Sequence, residues 1–333
     1  PEPLAAAGLN PEQLPRPLPA GTAVGMLTPA AAESIGLPAG MPCVLGGHDH
    51  LCASLAVGAW QPGTIVDSSG TAQGLMLFLN EFQTGPLFAR QAYSCYAHVA
   101  PGRFVLKGGS KAAGGAIQWL VRQLAGPGAE EGQLPYDRLE IEAQEGVGKR
   151  VGPLWLPHFI GSGPPDSDRY GRAALVGVQI EHNRGDLFRA LLEGLAFNTH
   201  HGLRQMQALT GQELERAILT GGTTRIRLLV QLKADVLNLP VSVPDVPEAS
   251  ASGAALLAGL GCGLFANPIE AVDSLHYDST VIEPEPKRVA WYAALYQRVY
   301  APLYQALYDT NHAMAELSGE RGAFPPADGP AGG

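Results

Sequence analysis

Residues 64–79 read TIVDSSGTAQGLMLFL and contain two apolar runs, Thr64–Asp67 and Ala72–Leu79. The four residues between the runs, Ser68–Thr71, are small or polar and include Gly70. Apolar runs joined by a short turn of this composition are typical of a β-hairpin. Helix-like and strand-like segments alternate from this hairpin to residue 317. The sequence therefore predicts a mixed α/β layered domain.

Periodic segments extend on both sides of the hairpin. Upstream, the apolar run Pro42–Gly47 predicts a buried strand, and the small residues of Leu51–Ala59 predict a tightly packed helix. Downstream, Arg184–Leu209 has apolar residues near helical spacing, and Gly211 can end that helix. The remaining predicted elements are strands at Arg103–Lys107, Pro153–Pro157, Arg172–Val178, Ala217–Thr220 and Val241–Val243, helices at Lys111–Leu124, Thr224–Leu237, Ala249–Leu260 and Arg288–Leu317, an exposed helix with loops within Glu130–Arg150, and a disordered tail at Ser318–Gly333.

The composition excludes several classes of protein. With 333 residues, 46% of them hydrophobic and 16% charged, the chain can form one large domain or two smaller ones. The 31 acidic residues outnumber the 22 basic ones, which argues against nucleic acid as a partner. No apolar run reaches the roughly 18 residues of a membrane-spanning helix, which argues against a membrane partner. Cys43, Cys52, Cys95 and Cys262 are far apart and form no CxxC pair, which indicates free thiols and a cytoplasmic location.

Three glycine-bearing turns follow predicted strands, at Gly46–Asp49, Ser68–Thr71 and Gly221–Arg225. Glycine lets backbone N–H groups approach an anion closely, and a hydroxyl such as that of Thr71 adds a donor for phosphate oxygens. The sequence contains neither a GxxxxGK[ST] loop nor a GxGxxG loop. Each turn taken singly therefore favours an ordinary tight turn over a functional loop.

Asp49 directly follows a predicted strand and a pair of glycines, at the sheet edge where α/β proteins commonly bind ligands. Its carboxylate could accept a proton from a hydroxyl nucleophile, or it could cap the helix predicted from Leu51. The residues support both interpretations equally. The neighbouring His48 and His50 point in different directions and have no HExxH or CxxC partner, which argues against a metal site.

Five segments, taken in order, resemble the C-terminal part of the FGGY carbohydrate kinases, the family of xylulokinase, glycerol kinase and gluconokinase. The resemblance covers about Gly21 to Leu317 and rests on the order of the segments, because each one alone is a weak signal. The segments are Gly46–Asp49, similar to the GGxD element; Asp67–Ala72, similar to the second phosphate-binding hairpin; Ala113–Trp119, similar to a segment that lines the nucleotide cleft; Gly177–Gly194, similar to the C-terminal motif; and Gly221–Ala255, similar to the adenosine motif.

The resemblance implies the actin-like ATPase fold, which consists of two ribonuclease-H-like domains with a cleft between them. Residues 1–60 would be the end of the N-terminal domain, and residues 61–317 the C-terminal nucleotide-binding domain. ATP and Mg²⁺ are the implied cofactors, and a sugar or polyol is the implied substrate. The implied site residues are Asp49 as the catalytic base, His48 with Asp49 at the substrate, and Ser69, Gly70, Thr71, Gly114, Gln118, Gly221, Gly222 and Arg225 at the nucleotide.

The sequence also departs from the family pattern. Nothing matches the family's opening DxGTxxxR motif, so the sugar-binding residues of the first domain would lie before Pro1. Thr223–Arg227 lacks the Ser-Pro or Asn common after the two glycines, and Ala173 replaces a glycine. The chain is therefore expected to be about two thirds of a kinase and inactive by itself. A non-catalytic nucleotide- or partner-binding remnant is the alternative, and a homodimer is left open.

Overall fold

The structure, a computed structural model, describes residues 2–125, 135–149, 151–246 and 248–319. The predicted tail beyond Gly319 and part of the predicted Glu130–Arg150 segment lie outside these residues. The chain divides into two compact units. Unit 1 comprises Pro1–Trp60, Ala97–Arg103 and Val246–Tyr277, and unit 2 comprises Gln61–Tyr96, Phe104–Asp245 and Asp278–Gly333. The predicted assignment of residues 1–60 and 61–317 to the two domains of a larger fold stays a prediction.

Helices and strands alternate along the chain, as the sequence predicts. The strands are β1 (Ala23–Met26), β2 (Pro42–Val44), β3 (Thr64–Ser69), β4 (Gln73–Leu79), β5 (Ser94–Ala97), β6 (Phe104–Ser110), β7 (Leu154–Leu156), β8 (Ala174–Val176), β9 (Arg216–Thr220), β10 (Val241–Pro244) and β11 (Ser279–Ile282). The α-helices are α1 (Glu2–Ala6), α2 (Pro29–Ile35), α3 (Asp49–Ala56), α4 (Pro86–Arg90), α5 (Gly114–Ala125), α6 (Tyr136–Gln144), α7 (Arg184–Thr210), α8 (Arg227–Leu237), α9 (Ala249–Gly261), α10 (Pro268–Asp273), α11 (Pro286–Leu295) and α12 (Ala301–Leu317).

Unit 1 contains a two-stranded antiparallel sheet, β1 with β2, and the helix pair α3 and α9. Gly253 of α9 lies against the backbone of Cys52 in α3, so the two helices approach closely only because residue 253 has no side chain. The predicted buried strand Pro42–Gly47 is wrong in extent and burial: β2 ends at Val44 and is partly exposed. Each strand of a two-stranded sheet is an edge strand, which explains the incomplete burial.

Unit 2 is built on a seven-stranded sheet with the order β11-β10-β9-β3-β4-β6-β5. The predicted hairpin is confirmed: β3 and β4 pair antiparallel, with Ser69 opposite Gln73. Strand β9 runs parallel to β3, with Thr220 opposite Ser68, and β6 runs antiparallel to β4, with Ser110 opposite Gln73. The carboxyl ends of β3, β9 and β6 therefore meet at one edge of the sheet.

The long helix α7 crosses the core of unit 2. Asn183 and Asp186 form a capping box at its start, and Gly211 ends it in the left-handed region with φ +67°. The predicted helix Arg184–Leu209 and its glycine stop are thus confirmed. Leu203 and Met206 of α7 pack against the sheet, whereas its first half packs in a second apolar cluster with α5 and α8.

Helix α7 also carries a buried charged triad, Asp186, Arg189 and Glu193. The Arg189 guanidinium lies 3.1 Å from Asp186 Oδ1 and 3.5 Å from Glu193 Oε1, and all three side chains are almost completely buried. Gly146 and Gly152 leave the room that the guanidinium occupies, because a Cβ at either position would overlap it. Burial raises the pKa of the Glu193 carboxyl to about 7, although Arg189 and the Tyr292 hydroxyl both lower it.

This raised pKa predicts a pH-dependent stability. Between about pH 5 and pH 7 the folded Glu193 retains a proton that the unfolded chain releases, so the free energy of unfolding falls as the pH rises. Between pH 5 and pH 8, the free energy of unfolding of the wild-type chain should fall by roughly 3 kcal/mol relative to that of Glu193→Gln, as measured by urea unfolding. The exposed Glu213→Gln serves as the control and should follow the wild type. If the free energies of unfolding of the wild type and Glu193→Gln changed in parallel with pH, the raised pKa of Glu193 would be contradicted.

The predicted closing helix Arg288–Leu317 is interrupted. Helices α11 and α12 are separated by a π-helical turn, Tyr296–Tyr300. The side chains of Tyr292, Tyr296 and Tyr300 are buried around Phe197. Of the helices in the described ranges, none is long and apolar enough to cross a membrane.

Candidate functional site

Three loops of unit 2 converge at the edge of the sheet where β3, β9 and β6 end. The β3–β4 turn is joined to the start of α5, since Gly114 N–H donates to the Gly70 carbonyl at 2.9 Å and Ala113 N–H donates to the Thr71 carbonyl at 2.9 Å. On its other side, the Thr223 hydroxyl donates to the Ser69 carbonyl at 3.2 Å. The predicted glycine turns at 68–71 and 221–225 are therefore neighbours.

Two of the glycines are required for this convergence. A Cβ at Gly114 would lie 2.5 Å from the Gly70 carbonyl oxygen. A Cβ at Gly221, whose φ is +92°, would lie 2.5 Å from the Ser69 carbonyl oxygen. Both distances are far below van der Waals contact, so a side chain at either position would push the loops apart.

The other two glycines face open space. A Cβ at Gly70 or at Gly222 would meet no protein atom within 4 Å, and both residues are exposed. Thr71, next to Gly70, is also exposed. The backbone of these loops is therefore bare on one side, which allows a phosphate-sized anion to approach it. The Gly70 N–H itself donates to the Ala72 carbonyl at 2.9 Å, so it is not a donor for such an anion.

A buried polar network lies directly behind the turn. The Lys233 ammonium pairs with Asp67 Oδ2 at 2.5 Å and lies 3.3 Å from the Ser69 hydroxyl, and the exposed fractions of the Lys233 and Asp67 side chains are 2% and 0%. The Gln73 amide donates to the same Asp67 oxygen at 3.0 Å and to the Thr199 hydroxyl at 2.6 Å. Every member thus has a partner, which is the condition for a stable buried charge.

Sequence reasoning missed Lys233. It stands in α8, where the residues around it are buried and mostly apolar. The single signal in the sequence is a lone lysine inside a helix with an apolar face, and a lysine normally avoids such a position unless it is paired. Its partner Asp67 is 166 positions away, so the pair could not be identified from spacing.

The Ser69 side chain points into the protein. Its hydroxyl donates to Asp67 Oδ1 at 2.5 Å, and the residue is only 2% exposed. Ser69 therefore holds the turn in place through its side chain. Gln118 lies one turn beyond Gly114 on α5 and is half-buried, and Arg225 ends the short 3-10 turn after Gly221 and is exposed. Their roles at the nucleotide stay predictions.

The predicted base belongs to unit 1. Asp49 is the first residue of α3, and its side chain is 70% exposed. Asp49 Oδ1 accepts a hydrogen bond from the His50 N–H at 2.8 Å and lies 2.9 Å from His48 Nδ1. The residue at the N-cap is His48, whose ring accepts from the same N–H, so the alternative interpretation of Asp49 as the cap is wrong. Gly47 before it packs against Val99, with no room for a side chain.

The residues present fit a nucleotide phosphate better than a metal held by the protein alone. The hydroxyl of the exposed Thr71 is a donor that suits phosphate oxygens, and no side chain at Gly70 or Gly222 blocks their approach. Within the described ranges, no three His, Cys, Asp or Glu side chains come together as a metal site. A magnesium ion would then be held largely through the phosphate oxygens over Gly70 and Thr71.

Comparisons with known proteins identify a family. The profile of the C-terminal domain of the FGGY family of carbohydrate kinases matches residues 66–262. The chain is 26% identical over 295 residues to a xylulose kinase of Staphylococcus epidermidis, covering 88% of this chain and 56% of that protein. It is 30% identical over 285 residues to an L-fuculokinase of Escherichia coli, covering 86% and 57%. The chain thus spans just over half the length of these relatives.

Solved structures give the same result for the fold. The crystal structure of a xylulose kinase from Rhodospirillum rubrum has a TM-score of 0.80 and 30% sequence identity, over 93% of this chain and 60% of that one. The predicted actin-like ATPase fold is confirmed by this likeness.

Proposed function

The chain belongs to the FGGY family of carbohydrate kinases, and from this premise we propose that it takes part in ATP-dependent phosphorylation of a sugar or polyol hydroxyl. The observation that supports the proposal best is the bare backbone at Gly70 and Gly222, where two neighbouring loops leave open space with no side chain in the way. Phosphoryl transfer depends mainly on positioning and charge stabilisation, which such loops provide.

In the proposed reaction, Asp49 accepts the proton of the substrate hydroxyl, and His48 contacts the substrate beside it. The hydroxyl oxygen forms a bond to the γ-phosphorus of ATP, and the bond between that phosphorus and the β–γ bridging oxygen breaks, so ADP leaves. Mg²⁺ neutralises the charge on the phosphate oxygens when bound. The turns at Ser69–Thr71 and Gly114 would hold the phosphates, the adenosine would lie near Gly222, and Gln118 and Arg225 would contact the nucleotide.

Replacing the base tests this mechanism. Asp49→Asn keeps the size of the side chain but removes the proton acceptor, so sugar-dependent ADP formation should fall by about 10²–10⁴-fold, while ATP binding should be unchanged. The measurement is a coupled ADP assay over a sugar and polyol panel, made on the protein as its source cells produce it. Glu33→Gln, an exposed carboxylate of the same unit, is the control. Full turnover by Asp49→Asn would exclude Asp49 as the base.

A second candidate function is a non-catalytic nucleotide- or partner-binding remnant of a sugar kinase. It is favoured by the residues after Gly222, Thr223–Arg227, which depart from the family pattern. The two candidates differ in one readout, because a remnant binds ATP without transferring phosphate to any sugar. We further propose a cytoplasmic location and a homodimer, which fractionation and analytical ultracentrifugation would test.

A further inference from the structure

A pocket of unit 2 is lined by three cationic side chains. The pocket has a volume of about 460 Å³, and its lining includes Lys111, Arg169 and Arg172 together with the apolar or aromatic residues Phe159, Ile160 and Tyr170. No acidic side chain lines it. None of the residues that we assign to the nucleotide lines it, although Lys111 lies in the same β6–α5 loop that leads to Gly114.

The charge of the pocket is opposite to that of the protein. The chain has a formal net charge of −9, which repels anions at long range. Three cations around one small pocket reverse that effect locally, because at short distances the nearest charges dominate. An anion is therefore the ligand class that the pocket favours.

The nearest carboxylate in the sequence, that of Asp168, is occupied elsewhere. Its Oδ2 accepts from the Tyr304 hydroxyl at 3.2 Å and lies 3.0 Å from His312 Nε2, and its Oδ1 accepts from the Tyr170 N–H at 2.8 Å. Asp168 is only 8% exposed. Asp168 thus anchors the loop 161–172 from the interior. The next residue, Arg169, lies on the side of the pocket.

The walls of the pocket are fixed by packing. The Phe159 ring is held by Trp119 and Trp155, with ring centroids 5.0 and 5.5 Å away. The loop itself is closed by two hydrogen bonds of 2.8 Å, one between Ser162 N–H and the Asp168 carbonyl and one between Asp168 N–H and the Ser162 hydroxyl. A site whose walls are already ordered loses little entropy on binding.

We propose that this pocket binds a small organic phosphate ester, with the phosphate at Lys111, Arg169 and Arg172 and the organic part against Phe159 and Tyr170. Guanidinium groups suit the phosphate because they can donate two parallel hydrogen bonds to its oxygens. The apolar wall favours an ester over inorganic phosphate, since the organic part of an ester would cover the Ile160 side chain, which is 61% exposed. Binding of the ester does not depend on phosphoryl transfer. We propose it as a site distinct from the proposed nucleotide site.

The test is calorimetric titration of the full chain with ribose 5-phosphate, ribose and inorganic phosphate. We expect ribose 5-phosphate to bind saturably and more tightly than inorganic phosphate, and ribose not to bind. Lys111→Gln with Arg169→Gln should weaken binding of the ester at least tenfold, whereas the charge-keeping pair Lys111→Arg with Arg169→Lys should keep it within about threefold. Raising the salt concentration should also weaken the binding, because the contact is between charges.

Two control variants separate this pocket from other cationic or phosphate-binding surfaces. Arg227→Gln, an exposed arginine at the start of α8, should leave ester binding unchanged. Gly222→Val, in the proposed nucleotide loop, should also leave it unchanged. The proposal is overturned if the ester does not bind, if the Lys111 and Arg169 double variant binds it normally while folding as the wild type does, or if Gly222→Val abolishes the binding.

Discussion

Gly70→Val and Gly222→Val are each expected to weaken ATP binding on the order of 100-fold, about 3 kcal/mol, while leaving the fold intact. A Cβ at either position meets no protein atom within 4 Å, and neither backbone is in the left-handed region, so valine fits the folded chain. The same open space is where ATP is proposed to lie, with its phosphates at Gly70 and its adenosine near Gly222. A branched side chain there would block the ligand and leave the loops unchanged.

Isothermal titration with ATP and Mg²⁺ measures the effect, and a thermal melt measures the fold. Gly25→Val is the matched control, because Gly25 lies in the exposed strand β1, has the same lack of neighbours around its Cβ and is far from the turns in sequence. ATP affinity equal to that of the wild type in both test variants would show that no ligand approaches this backbone. Gly114→Val should instead lower the melting temperature, because its side chain would collide with the Gly70 carbonyl.

Lys233→Met is expected to lower the free energy of unfolding by about 3–5 kcal/mol. The substitution leaves the Asp67 carboxylate, whose side chain is fully buried, without its cationic partner. Gln73 and Ser69 still donate to that carboxylate but cannot neutralise its charge. The turn that Ser69 holds should loosen as well, so ATP binding should weaken in the same variant.

The double variant Asp67→Asn with Lys233→Met separates the lost pairing from the lost packing. Removing both charges also removes the unpaired buried carboxylate, so the double variant should be more stable than Lys233→Met alone. Urea unfolding is the measurement. The exposed Lys287→Met is the control and should change the free energy of unfolding by less than about 0.5 kcal/mol. A Lys233→Met variant as stable as this control would contradict the role of the pair.

Local patterns in the sequence determined much of the fold. The hairpin at residues 64–79 follows from two apolar runs and a glycine turn, and α7 follows from helical spacing with a stop at Gly211. These features depend on interactions over a few residues, so composition and periodicity are sufficient to predict them. The order of five short motifs also predicted the family, the fold class and the candidate nucleotide-binding residues.

Where local pattern and tertiary context disagreed, the prediction failed. The run Pro42–Gly47 is apolar enough for a buried strand, yet β2 is short and partly exposed because it pairs in a two-stranded sheet. The periodicity of Arg288–Leu317 predicts one continuous α-helix, whereas the structure has a π-helical turn in its middle. Both outcomes depend on neighbouring elements that a local pattern does not contain.

Tertiary structure alone decided how the site is built. Lys233 and Asp67 are 166 residues apart, and Thr223 and Ser69 are 154 apart, so no spacing rule connects them. Which glycines let two loops approach each other and which leave the backbone bare depends on the carbonyl groups that face them across the fold. The sequence by itself determined which residue types stand at the turns. The packing of distant segments decided that the Ser69 hydroxyl supports the turn from within, because a buried carboxylate and a buried lysine meet beneath it.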